Sequence, residues 1–226
     1  KESDFKKIKL AGLNRIHVGL ESGSDRVLKL VNKGSTKENH IKAGLNVKNA
    51  GIELSEYIMP GLGGKNLSQL HAEETADAIN QINPDFIRMR TLVIQENYPL
   101  FGENPDIAFE KSTDVLIAKE IRLFIENLNG ISSNLKSDHM NNLLQAVQGK
   151  LPEDKATMMK IIDCFLQLDP MDQLHFQVGR RFGFMAEIND LKKPTLLDRA
   201  KGICQQYGIT VEKSDELIDK YANRSL

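Results

Sequence analysis

Polar and apolar residues alternate from Arg15 to Glu21. The even positions Ile16, Val18 and Leu20 are apolar, and the odd positions Arg15, His17, Gly19 and Glu21 are polar or very small. That period of two predicts a strand with one face under covering helices and the other toward a polar interior. Ser24 is placed to cap a helix over residues 25–32, which Gly34 stops. Thr36 is placed to cap another, in which Ile41, Gly44, Leu45 and Lys48 share a side. A second strand is predicted over residues 52–59. It runs into Pro60-Gly61-Leu62-Gly63-Gly64, a loop whose three glycines suit close approach of the backbone to another group. Residues 67–83 carry the helical period through Ala72, Thr75, Ala76, Ile79 and Ile82, and Pro84 ends it. The third strand is predicted over residues 86–94, with Arg88 and Arg90 on one face. Strands alternating with helices of this length predict parallel βαβ units.

No comparable strand signal follows Ile94. Residues 97–111 have the proline and glycine content of a linker. Helices are predicted over residues 113–129, 138–148 and 152–168, and shorter ones over 196–207 and 215–222. The expected division is therefore a β/α unit over residues 1–96 and a mainly α-helical extension over residues 97–226.

Composition narrows the chemistry. The chain has 226 residues, 40% of them hydrophobic and 27% charged, with a formal net charge of -1. The charge balance gives no global footprint for nucleic acid or an anionic membrane. No apolar run approaches the roughly 18 residues of a membrane span, so a cytoplasmic location is expected. The first residue is not Met, which suggests a piece of a longer protein. The two cysteines, Cys164 and Cys204, stand 40 positions apart in apolar helical patterns. They read as buried free thiols in a reducing compartment, and no metal site is expected from this chain alone.

Residues 12–34 carry the most specific pattern: a strand ending in Glu21 and Ser22, a glycine turn, then a helix. In barrels and open α/β sheets, ligands sit at the C-terminal ends of parallel strands. A carboxylate there can accept two hydrogen bonds from a ribose diol. The next helix begins with unpaired N–H groups that suit an anion. The bland alternative for Glu21 is a salt bridge to Lys33 or Arg90. His17 either packs the interior or lines the site. Arg88 and Arg90 either take a substrate carboxylate or neutralise Glu21 and Glu53. Ser137-Asp138-His139 either caps a helix or belongs to a substrate site. Gly179-Arg180-Arg181-Phe182-Gly183 either grips phosphate or a nucleic-acid strand, or forms a solvated turn.

The string over residues 12–34 resembles the fourth strand and following helix of the radical S-adenosylmethionine (SAM) superfamily, with its Glu-Ser pair, Val-Leu and Asn-Lys. Residues 57–64 resemble that family's fifth strand and glycine turn, and residues 86–94 stand where the sixth belongs. The resemblance implies the C-terminal half of an incomplete (β/α)6 TIM-like barrel. It implies SAM as cofactor, with Glu21, Ser22, Lys33, Ile58, Met59 and Gly61 in contact with it, and His17 and Arg90 toward an unknown substrate. In such enzymes a [4Fe–4S] cluster reductively cleaves SAM to a 5′-deoxyadenosyl radical. The cluster ligands would lie outside this chain, in a missing N-terminal half, and the chain alone would be inactive. Two other readings stand beside it. One is a non-catalytic binding module whose helical extension docks RNA or a protein partner. The other is a different barrel enzyme with a sugar-phosphate site at residues 61–64.

Overall fold

The computed structural model describes residues 2–94 and 109–222. The expected linker lies almost wholly outside the described residues. Helix α1 (Glu2–Leu10) leads into strand β1 (Arg15–Glu21). Helices α2 (Asp25–Leu30) and α3 (Lys37–Asn49) connect it to β2 (Glu53–Ile58). Helix α4 (Gly64–Ile82) then leads to β3 (Phe86–Met89), and α5 (Asp114–Asn127) to β4 (Asn134–Lys136). Strand β5 (Gly149–Lys150) precedes α6 (Lys155–Leu166), α7 (Pro170–Arg181), α8 (Pro194–Tyr207) and α9 (Ser214–Ala222).

The five strands form one sheet in sequence order. The first four pair in parallel, and β5 closes the far side antiparallel to β4. This is an α/β fold with a mostly parallel sheet, and Glu21 stands at the C-terminal end of β1 as expected. Among the described residues no strand pairs with the other edge of β1.

The alternation in β1 has the predicted consequence. Ile16 and Val18 pack on Val47, Ile52, Leu54 and Ile82 beneath the helices, and Leu20 is buried in the main core. On the opposite face Arg15 lies over the Phe86 ring at 4.7 Å, and the rings of His17 and Tyr57 stand 5.8 Å apart. Helix α3 approaches the sheet closely because Gly44 lacks a side chain; a Cβ there would meet Ile82 at 2.8 Å. The Thr36 side chain caps α3 through the Asn39 N–H at 3.2 Å. Ser24 makes no such capping bond, and its hydroxyl is buried without a partner.

Four expectations fail in the C-terminal part. The sheet does not stop near Ile94 but continues through β4 and β5. No helix forms over residues 138–148. Leu143, Leu144 and Val147 are buried there as their spacing suggested, yet the backbone is a loop. Its carbonyls at Asn141, Asn142 and Leu143 accept hydrogen bonds from Arg181 and Arg180 instead of from amides one turn on. The segment around those arginines, expected as a ligand grip or a solvated turn, is instead the end of α7. Cys164 also departs from expectation: it is exposed, while Cys204 is buried, and both are free.

Candidate functional site

The polar face of the sheet gathers the residues singled out by the strand pattern. Glu21 ends β1 in the left-handed backbone region, at φ 62°, where the register with β2 slips. A non-glycine residue there carries strain of the kind that clusters at functional sites. Its carbonyl accepts the Met59 N–H at 3.0 Å, which locks the end of β1 to β2. Its carboxylate folds back over the strand toward Lys33, with Nζ 3.4 Å from Oε1. Gly19 makes room for this: a Cβ there would lie 2.2 Å from Glu21 Oε1 and 3.3 Å from Lys33 Nζ. The two side chains remain 21% and 32% exposed, so the pair is reachable by a ligand.

Farther across the face, the Arg90 guanidinium lies 4.3 Å over the Tyr57 ring, and His17 packs on the same ring. Arg88 donates to Asp138 at 2.9 Å. Neither arginine neutralises Glu21 or Glu53; Lys33 and Arg15 do so. His139 follows on the loop after β4. Its pKa is lowered, by burial first and then by the positive charge of Arg90.

Ser22, Ile58 and Gly61 fall elsewhere. Ser22 is fully buried, and its Oγ lies 2.8 Å from His71 Nδ1 while accepting the Ser24 N–H. With the His71 Nε2 proton on the Met59 carbonyl at 3.0 Å, Nδ1 is the acceptor for the Ser22 hydroxyl. Ile58 has the parity of the helix-facing positions and lines a small cavity with His71, Thr75, Glu120 and Phe124. Gly61 adopts φ 88° and donates its N–H to Glu120 Oε1 at 2.7 Å. These three residues face α4 and α5, so they position the loops after β1 and β2 and leave no side-chain group for a ligand on the polar face. Met59 is half-buried against Val27, Leu62 and Leu67.

The supporting network was missed from the sequence. Glu120, nearly fully buried, accepts from Gly61 N–H and from Ser68 Oγ at 2.5 Å, and lies 3.7 Å from His71 Nε2. Thr75 accepts the Gly23 N–H at 2.9 Å. The available signal was Ser68, His71 and Thr75 at helical spacing on a face otherwise made of Ala and Ile.

The remaining candidates take structural roles. Ser137 Oγ donates to the Leu144 carbonyl rather than capping a helix. Arg180 bonds the carbonyls of Asn142, Leu143 and Met185, and Arg181 bonds the Asn141 carbonyl and Asp114. Both guanidiniums are thus engaged by acceptors of the protein itself, and residues 180–182 are half-buried. Among the described residues no three His, Cys, Asp or Glu side chains converge as a metal site. No described helix is long and apolar enough to cross a membrane.

Residues 1–76, which include β1, β2 and most of α4, match the radical SAM superfamily. The chain is also similar to a tRNA uridine(34) acetyltransferase of Methanocaldococcus infernus, 30% identical over 88 residues. That match takes in 38% of this chain and only 16% of the relative.

Proposed function

We propose that this chain supplies the cofactor-gripping half of a radical SAM barrel, and that the intact enzyme acts on a substrate held against His17 and Arg90. The observation that carries this is the Glu21–Lys33 pair at the C-terminal end of β1, folded over Gly19 on the polar face. The residues fit SAM. The Glu21 carboxylate offers two acceptor oxygens to a ribose diol, and Lys33 offers a cation to the methionyl carboxylate. Tyr57 and Met59 flank them. When bound, SAM supplies radical chemistry through reductive cleavage of a carbon–sulfur bond; the protein binds, orients and shields it.

The residues do not fit the iron–sulfur cluster. Such clusters are held by cysteine thiolates, and Cys164 and Cys204 sit on separate helices, α6 and α8. On this reading the cluster ligands come from upstream sequence, the open edge of β1 is where the rest of the barrel pairs, and the helices that follow β5, residues 155–222, form the extension.

In the protein extended upstream and reconstituted anaerobically, Glu21→Ala and Lys33→Ala should each weaken SAM binding by about 1.5–3 kcal/mol, the worth of hydrogen bonds to a charged group. Iron and sulfide content should stay at the level of the unsubstituted protein. Calorimetry measures the first and metal analysis the second. Unchanged affinity in both variants overturns the assignment of the pocket. The 226-residue chain treated the same way should assemble no stoichiometric cluster and yield no 5′-deoxyadenosine.

A further inference from the structure

Arg90 differs from the other arginines of the polar face. Arg15 pairs with Glu53 and Arg88 with Asp138. Arg90 is exposed, and no described carboxylate lies within ion-pair distance of it. Its guanidinium carbon lies 4.3 Å from the centre of the Tyr57 ring, a cation–π contact that restrains the side chain, and no described acceptor takes its N–H donors. Lys136 stands beside Arg88 in the β3–β4 register, also without a described carboxylate partner. The Arg88 Nε–H is buried and has no acceptor. His139 receives the Asn141 N–H on Nδ1 at 3.4 Å, which leaves a proton on Nε2 when the ring is neutral. Donors and positive charge thus converge at the C-terminal ends of β3 and β4, where among the described residues Asp138 is the carboxylate paired with one of the three cations.

We propose that Arg90, with Lys136 and His139, binds an oxyanion of the substrate, a carboxylate or a phosphate. The inference rests on the polar face being the substrate side of the barrel. Arg recognises such groups through two parallel N–H donors, and a guanidinium already fixed on a ring loses less freedom on binding. An anion there also relieves the repulsion between neighbouring cations.

The test is titration of the 226-residue chain with phenyl phosphate, benzoate and neutral benzyl alcohol, followed by amide chemical shifts and calorimetry. At least one of the two anions should bind and shift the amides of residues 88–90 and 136–139, and the alcohol should not. The tighter of the two names the source of the oxyanion. Arg90→Gln should weaken anion binding about tenfold or more, Arg90→Lys should weaken it less, and Arg199→Gln should leave it unchanged. Arg199 is the control because it also lies on a ring, that of Phe184, but away from this face. Equal binding of benzyl alcohol, no response to either anion, or an Arg90→Gln variant with full affinity overturns the proposal. SAM affinity measured separately in the upstream-extended protein keeps the two readings apart. Anion binding lost while SAM binding depends on Glu21 sinks only the oxyanion site. Anion binding retained while SAM binding ignores Glu21 and Lys33 sinks only the cofactor pocket.

Discussion

Above about pH 8, the Glu56→Gln variant should resist urea better than the natural chain, and the advantage should vanish in acid. Glu56 lies at a position of β2 whose register partners are Val18 and Ile87, beneath the helices. It is fully buried, and neither carboxyl oxygen has a hydrogen-bond partner. Burial, and then the like charge of Glu21, push its pKa from 4.5 up to about 8; the Leu20 backbone and then Lys33 offset only part of this. The folded state therefore keeps the proton at pH values where the unfolded chain has released it. The stabilisation from that bound proton is complete below about pH 4.5 and is lost as pH rises to about 8. Its full loss is on the order of 5 kcal/mol. Glutamine keeps the shape and does not titrate, so the two stability curves should separate across this window. Parallel curves from acid to alkaline pH would mean that the carboxyl is solvated in the folded protein.

Glu120→Ala should cost about 3–5 kcal/mol, as removal of one partner from a buried charged network does. The carboxylate ties α5 to the loop after β2 through Gly61 N–H and to α4 through Ser68. Burial raises its pKa, while His71, Ser68 and Gly61 pull the other way. Alanine leaves those donors buried and unpaired and opens a cavity beside Phe124. Glu120→Gln keeps an acceptor oxygen and should cost less. Chemical denaturation gives the stability, and hydrogen exchange at the Gly61 amide reports the local effect. A loss under about 1 kcal/mol, with Gly61 still protected, would show that other contacts hold the loop.

The contrast between these two glutamates shows where sequence patterning stops being informative. β1 is legible because every second residue is apolar and its polar partners stay on one face. In β2 the run Leu54-Ser-Glu-Tyr-Ile58 puts a polar residue on both faces, so alternation does not reveal which side Glu56 takes. Its parity with Leu54 and Ile58 decides, and that emerges only from the register. β4 and β5 span three and two residues, too few for any period to register. The spacing of Leu143, Leu144 and Val147 correctly marks burial and wrongly suggests a helix. The groups that hold this backbone in a loop lie 37 to 40 residues downstream, at Arg180 and Arg181. Glu21 and Lys33 were legible as a pair because they flank one local strand–turn–helix unit. Ser22 was not, because its partner His71 is 49 residues away.

The backbone of Glu21 sets stability against usefulness at one position. A residue with a side chain at φ 62° costs about 1 kcal/mol that glycine would not. Glu21→Gly should therefore give a chain at least as stable as the natural one and more stable than Glu21→Ala, with the carboxylate gone in both. Selection for folding alone would drift toward glycine at this turn. The carboxylate that the proposed cofactor grip needs is thus carried at a cost in stability.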